Sequence, residues 1–188
     1  MRIALFGGTF DPIHNAHLEI AREASRRFAL GRVLFVPASR PPHKSGATSA
    51  SYEDRYRMVE LACRGESSFE ASRLEQGEQN SYSIETIERV RASLRPEEEL
   101  WFLIGADAFA EIRTWHRWRE VIASVAFIVV SRPGAVYRVP EAARVHRLEG
   151  VDLAVSSSEI RRKLAAGGDQ IDVPPAVLSY IRDRGLYR

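Results

Sequence analysis

The sequence predicts an α/β fold: an open, mostly parallel sheet with helices on both faces and a helical carboxyl-terminal part. Three observations carry that prediction. Short apolar runs of strand length alternate with stretches of helical periodicity. The runs are apolar throughout, as strands covered on both faces are. Gly, Pro and Ser clusters follow the runs and mark the turns that leave them. With 188 residues, 45% of them hydrophobic, the chain has enough apolar surface for one domain with a sizeable core. We expect residues 1–188 to form that one domain, with the helical part from about 156 to 188 packed on it.

Residues 2–6 read as a buried strand, and residues 17–29 as a helix with Leu18, Ala21, Ala24 and Phe28 at helical spacing. Residues 33–36 form a second strand. Residues 37–51 read as a long loop, a length that in a small domain usually has a function. A helix over 52–64, a short strand near 68–72 and a helix over 83–94 follow. Residues 100–104 and 126–130 are two more buried strands, 144–148 a last short one, and helices over 157–166 and 174–184 close the chain. In a parallel sheet with right-handed crossovers, the loops at 7–16, 37–51, 105–107 and 131–134 share one edge. Ligands bind beyond that edge.

Composition narrows the function classes. Charged residues make up 28% and the net charge is +2, too little to argue for nucleic-acid binding. No apolar run is long enough to span a membrane. The amino terminus lacks the pattern of a secretory signal, so a cytoplasmic location is the default. Cys63 is the only cysteine, which excludes an intrachain disulfide and Cys-rich metal sites. Of 27 basic residues only Lys44 and Lys163 are lysines.

The first strand runs into Gly7-Gly8-Thr9-Phe10-Asp11-Pro12, and then His14 and His17 at a helix start. Glycines let backbone approach a ligand closely. A helix start offers free N–H groups and a partial positive charge that favour phosphate, and the two imidazoles add donors. Asn15 reads as the N-cap. A metal site would need further ligands beside the histidines. Asp11 is their only acidic neighbour, so no side-chain metal site is assigned.

In Ser156-Ser157-Ser158-Glu159-Ile160-Arg161-Arg162-Lys163, Ser156 and Glu159 fit a capping box. That does not explain three cations in the early turns of a helix, where the dipole disfavours them; an anion bound there would. Pro41-Pro42-His43-Lys44 reads as a stiff loop or a lid that brings a point charge. Asp107, after Gly105, could accept hydrogen bonds from ribose hydroxyls or cap a helix. Trp115 and Trp118, three apart, suggest that one packs inward and the other is free to stack on a flat ring. Ser83, after Asn80-Ser81-Tyr82, reads as an N-cap whose helix start could grip a small carboxylate.

Taken in order, these motifs resemble those of the bacterial nicotinate-nucleotide adenylyltransferases, a family of the nucleotidyltransferase superfamily with a Rossmann-like sheet. Arg132-Pro133-Gly134, Val173-Pro174-Pro175 and Tyr180-Ile181 through Leu186-Tyr187 extend the likeness over nearly the whole chain. The resemblance implies transfer of AMP from ATP to nicotinate mononucleotide, with Mg²⁺ carried on the ATP phosphates, to give nicotinate adenine dinucleotide and pyrophosphate in NAD biosynthesis. It also implies a five-stranded core. His14, His17 and Arg161 would be the catalytic groups. With Lys44, Ser157 and Ser158 they would hold and neutralise the ATP phosphates, while the backbone at Gly8, Thr9 and Phe10 approaches them and Gly105 and Asp107 contact adenosine. Trp115 would stack on the pyridine ring, N–H groups at Ser83 and His116 would face its carboxylate, and Arg132 would belong to the same acceptor site.

The family's usual His-x-Gly-His is His14-Asn15-Ala16-His17 here. The added methyl is expected to press on a phosphate or adenine if that backbone touches it. Competing readings are an adenylyltransferase for nicotinamide mononucleotide or another phosphorylated acceptor, a non-catalytic nucleotide-binding regulator, and a metal-dependent hydrolase built on the histidine pair. The sequence also leaves room for a homo-oligomer.

Overall fold

The computed structural model describes residues 1–39, 49–77, 82–151 and 154–188. Six parallel strands form one sheet: β1 (Arg2–Gly8), β2 (Leu30–Pro37), β3 (Phe69–Ala71), β4 (Glu99–Gly105), β5 (Ala126–Ser131) and β6 (Arg144–Glu149), in the order β3-β2-β1-β4-β5-β6. The resemblance implied five strands; both short outer segments, β3 and β6, are hydrogen-bonded into the sheet. β1 and β4 are adjacent at the centre, where the winding direction reverses. That reversal opens a crevice at their carboxyl ends, the place where such sheets bind ligands.

Strand residues alternate between two cores, as a period of two requires. Ala4, Phe6, Phe35, Leu103 and Ile128 face one side. There they meet α1 (Asn15–Phe28), α2 (Tyr52–Cys63), α6 (Ser157–Ala165) and α7 (Pro175–Arg184) through residues such as Ala21, Met58, Ile160 and Ile181. Ile3, Leu5, Phe102, Ile104 and Phe127 face the other. They meet α3 (Ser83–Ser93), α4 (Ala106–Ala110) and α5 (Trp118–Ser124) through Ile87, Phe109 and Val121. Helices thus cover both faces, and α6 and α7 share a core with the first strands. Among the described residues, no helix is long and apolar enough to cross a membrane.

The sequence reading missed α4, a 3-10 turn at Ile112–Thr114 and α5. At five to seven residues, the two helices are too short to show a periodicity, and packing against β4 and β5 stabilises them. Three capping assignments are corrected. His14, not Asn15, is the N-cap of α1; Asn15 instead donates to the Asp172 carboxylate at 2.6 Å. Tyr82, not Ser83, precedes α3, and Gly105, not Asp107, precedes α4. Ser156 does cap α6, accepting from the Glu159 N–H at 3.2 Å.

Candidate functional site

Two cavities open at the carboxyl ends of β1 and β4 and meet at Thr9 and Gly105, which line both. The first, about 530 Å³, is walled by β1 (Phe6, Gly7, Gly8), by β4 (Phe102, Ile104, Gly105) and by Tyr82, Ser83, Ala108, Trp115 and His116. Its lining is mostly apolar and aromatic. Trp115 stands edge-on to Phe102, with ring centroids 6.0 Å apart, and His116 lies 4.5 Å from Tyr82. Ser83 is the first residue of α3, so the start of that helix faces this chamber with unpaired N–H groups. One buried carboxylate, Glu75, also lines it and accepts from the Thr86 hydroxyl at 2.8 Å.

The second cavity, about 490 Å³, is lined mostly by polar and charged residues. It is lined by Thr9, Asp11, His14, Ala16, His17, Asp107, Ser156, Ser157, Ser158 and Arg161, among others. Residues about 150 positions apart are thereby brought together: the Arg161 guanidinium donates to the Asp11 carbonyl at 2.7 Å and to the Ser158 hydroxyl at 3.2 Å. The Ser157 hydroxyl donates to the Pro12 carbonyl at 2.9 Å. The histidine turn and the Ser-rich helix start therefore form one wall.

The two imidazoles stack with centroids 3.7 Å apart. The His14 backbone N–H donates to His17 Nδ1 at 3.2 Å. That bond makes Nδ1 the acceptor and leaves the ring proton on Nε2. Burial lowers the His14 pKa to about 4, partly offset by the Asp172 charge. Burial and then His14 itself hold His17 well below the ordinary histidine value. In the protein alone, burial thus favours the neutral form of both rings near pH 7, in which they offer hydrogen bonds rather than the positive charge that was expected of them.

Other expected residues fall differently. Gly8, Thr9, Gly105 and Asp107 line the cavities. Phe10 lines neither: its ring is buried against Phe6, His17 and Phe35, and its φ of 50° bends the turn. A side chain at Gly8 would strike that ring at 2.9 Å, so the glycine is needed for packing as well as for approach. Arg132 is exposed beyond β5 and lines neither cavity. Arg162 and Lys163 lie in the last turn of α6, where the dipole favours them, and Lys163 pairs with Glu159 at 3.4 Å. The charge mismatch argued for this helix thus reduces to Arg161. Lys44, with Pro41, Pro42 and His43, lies outside the described residues, as do Asn80 and Ser81.

Sequence reasoning missed Arg55. It is 1% exposed and donates to the carbonyls of Thr9 at 2.7 Å, Ala38 at 2.8 Å and Ser39 at 3.4 Å. The signal was there: Arg55 shares the buried face of its helix with Met58, Val59 and Ala62, and a buried cation needs partners. The Asp11 carboxylate, also buried, accepts from the N–H groups of Ser49 at 2.7 Å and Ala50 at 3.1 Å and from the Tyr187 hydroxyl at 2.7 Å. Among the described residues no group of three or more His, Cys, Asp or Glu could hold a metal ion.

Residues 5–163 match the family model for cytidylyltransferase-like proteins. The chain is 62% identical, over the full length of both, to a probable nicotinate-nucleotide adenylyltransferase of Solibacter usitatus (strain Ellin6076). It is 42% identical to one of Pelobacter propionicus (strain DSM 2379 / NBRC 103807 / OttBd1), covering 100% of this chain and 98% of the relative. Its fold is similar to that of the Plasmodium falciparum nicotinic acid mononucleotide adenylyltransferase complexed with NaAD. That likeness has a TM-score of 0.80 at 22% identity and covers 99% of this chain and 97% of the other.

Proposed function

Because this chain belongs to the cytidylyltransferase-like family, and within it to the nicotinate-nucleotide adenylyltransferases, we propose that it transfers AMP from ATP to nicotinate mononucleotide. The products are nicotinate adenine dinucleotide and pyrophosphate, in the NAD biosynthesis of the cytoplasm. The observation that carries this reading is the division of the site into a polar chamber and an apolar one that meet at Thr9 and Gly105. A triphosphate suits the first and a pyridine ring the second, so the reacting phosphates meet at the junction.

In that arrangement the Nε2–H of His17, the hydroxyl of Ser158, the guanidinium of Arg161 and the backbone N–H of Ser157 at the start of α6 hold the triphosphate, while the Ser157 hydroxyl stays on the Pro12 carbonyl. Lys44 supplies a further cation. His14 packs against His17 and keeps its ring in place. The carbonyls of Gly8, Thr9, Asp11 and Pro12 accept from Ala38, Arg55, Arg161 and Ser157, so the turn's acceptors are satisfied within the protein. Gly105 and Asp107 border the adenosine side. Trp115 stacks on the pyridine ring, and the N–H groups at Ser83 and His116 favour its carboxylate.

The acceptor's phosphate attacks the α-phosphorus in line, and pyrophosphate leaves. The lining residues do the positioning and stabilise charge, and no covalent enzyme intermediate is needed. The donor set fits a Mg²⁺ that arrives on phosphate oxygens and keeps waters. The Asp11 carboxylate already accepts three hydrogen bonds, which leaves Asp107 as the carboxylate on the chamber wall that can take part. When bound, the ion neutralises phosphate charge.

The test is pyrophosphate release from ATP with a panel of acceptors: the acid mononucleotide, the amide mononucleotide and phosphopantetheine. Turnover is expected to be fastest with the acid. A preference for the amide overturns the carboxylate assignment, and no release with any acceptor overturns the reaction.

A further inference from the structure

Resting on the adenylyl-transfer reading above, we propose that Tyr187, the penultimate residue, is a positioning residue for the phosphate turn and acts through the carboxylate of Asp11. One Asp11 oxygen accepts from the Tyr187 hydroxyl at 2.7 Å and from the Ala50 N–H at 3.1 Å, and the other from the Ser49 N–H at 2.7 Å. A single side chain thus ties together the turn after β1, the approach to α2 and the tail after α7. The backbone of the same residue holds Arg161, through its carbonyl at 2.7 Å.

The tail is shaped for this contact. Gly185 ends α7 at φ 62°, and its N–H and that of Leu186 return to the carbonyls of Arg182 and Ile181. Tyr187 then takes φ 63°, a conformation that residues with a side chain seldom adopt. The second left-handed step turns the chain back, and the hydroxyl meets Asp11. Burial first, and then the Asp11 carboxylate, push the phenol above its ordinary value, so it is a donor at any working pH.

The chemistry of the chamber explains why this donor matters. Asp11 lines the cavity proposed for a triphosphate, and a carboxylate there repels phosphate less when neutral donors disperse its charge and fix its direction. Without the Tyr187 hydroxyl, one oxygen of Asp11 loses a partner. Of the two cations beside Asp11, Arg55 feels its charge but is held by the carbonyls of Thr9, Ala38 and Ser39, and Arg161, which already touches the backbone of the same residue, is the one that can turn to replace it. Drawing Arg161 onto the carboxylate removes it from the phosphates. Tyr187 touches no reacting group itself, and its effect is on where two other groups point.

The test compares Tyr187→Phe with Tyr180→Phe. Tyr180 also anchors α7, through its hydroxyl to Asp54 at 2.8 Å, but lines neither cavity. Binding of a non-hydrolysable ATP analogue is measured by calorimetry, KM for nicotinate mononucleotide by turnover, and Tm by thermal unfolding. Tyr187→Phe is expected to bind the analogue about tenfold more weakly, with the acceptor KM unchanged. Tyr180→Phe is expected to lower Tm and leave analogue binding alone. In an Asp11→Asn background, Tyr187→Phe is expected to add nothing. Unchanged analogue binding in Tyr187→Phe overturns the proposal. So does a parallel loss of analogue affinity, acceptor affinity and Tm, which marks a merely structural contact. A wild-type chain that binds the analogue but turns over no acceptor defeats the adenylyl-transfer reading alone, because the calorimetric comparison still decides the role of Tyr187.

Discussion

Replacing His14 by Phe should remove much of the chain's sensitivity to mild acid. His14 is 5% exposed, and its Nδ1 has no hydrogen-bond partner among the described residues. Its pKa falls from 6.5 to about 4, chiefly through burial. In the unfolded chain the imidazole takes up a proton as pH drops below 6.5; in the folded chain it resists until about 4. The unfolded state therefore binds more protons across that window, and stability rises with pH. The stabilisation is complete above pH 6.5 and is lost as pH falls towards about 4. At about 1.4 kcal/mol per pKa unit, this separation gives an upper limit of about 3–4 kcal/mol. That is a large share of the 5–15 kcal/mol typical of a whole domain. His17, depressed by burial and by His14, acts in the same direction. Asp54, lowered from 3.8, responds only below the window. Urea unfolding of wild type and His14→Phe at pH 7.5, 6.5, 5.5 and 4.5, followed by circular dichroism, checks this. The phenyl ring fits the stacked, buried position and removes an unpaired nitrogen, so the variant should be no less stable at pH 7.5. Its advantage should widen as pH falls. Parallel pH dependences would refute the assignment of the acid loss to this buried imidazole.

Arg161→Ala should lower kcat/KM for ATP by about 10²–10³, the cost of one preorganised donor, with little change in acceptor KM; steady-state kinetics in both substrates checks it. Trp115→Ala should raise KM for nicotinate mononucleotide by about fivefold, as expected for a lost aromatic stack of about 1 kcal/mol, and leave KM for ATP in place. Ala16→Gly removes the methyl that lines the polar chamber near the start of α1. It should lower KM for ATP and cost up to about 1 kcal/mol of stability, read together by kinetics and thermal unfolding.

Most of the frame was legible because its signals are local. Each of the four central strands, β2, β1, β4 and β5, contains a continuous apolar run, and a parallel sheet follows from alternation with helices. Placing Thr9 and Gly105 at one edge needed only the handedness of crossovers, whereas Ser157 was assigned to the phosphates from its helix start and the resemblance. The rest was hidden for specific physical reasons. α4 and α5 are too short to show a period. Capping depends on dihedral angles, so His14 could stand where Asn15 was expected and the amide could serve Asp172 instead. The state of the histidines depends on burial, which a motif does not encode. Arg55 was visible as an arginine on an apolar helix face, but its three carbonyl partners come from other parts of the chain. The exposure of Arg132 follows from the path after β5, which no residue pattern marks.

Among the described residues, the walls of the site proposed for two polyanions carry a single arginine or lysine, Arg161. His14 is buried and His17 half-buried, and both are neutral; Arg55 spends its donors on the carbonyls of Thr9, Ala38 and Ser39; and Arg161 is divided between the Asp11 carbonyl and the chamber. Buried unpaired cations would cost more in desolvation than a folded chain can spare before its substrate arrives. Neutral imidazole N–H groups, hydroxyls and the free N–H groups of a helix start avoid that cost. They still point partial positive charge at phosphate, and they do so without reorganising. The net charge that the substrates need can then arrive with them as a metal ion, or from the few cations whose counter-charges are held elsewhere. Restraint of Asp11 matters for that reason: among the described residues of the chamber wall Arg161 is the one arginine or lysine, and a carboxylate free to draw it away takes that charge from the phosphates.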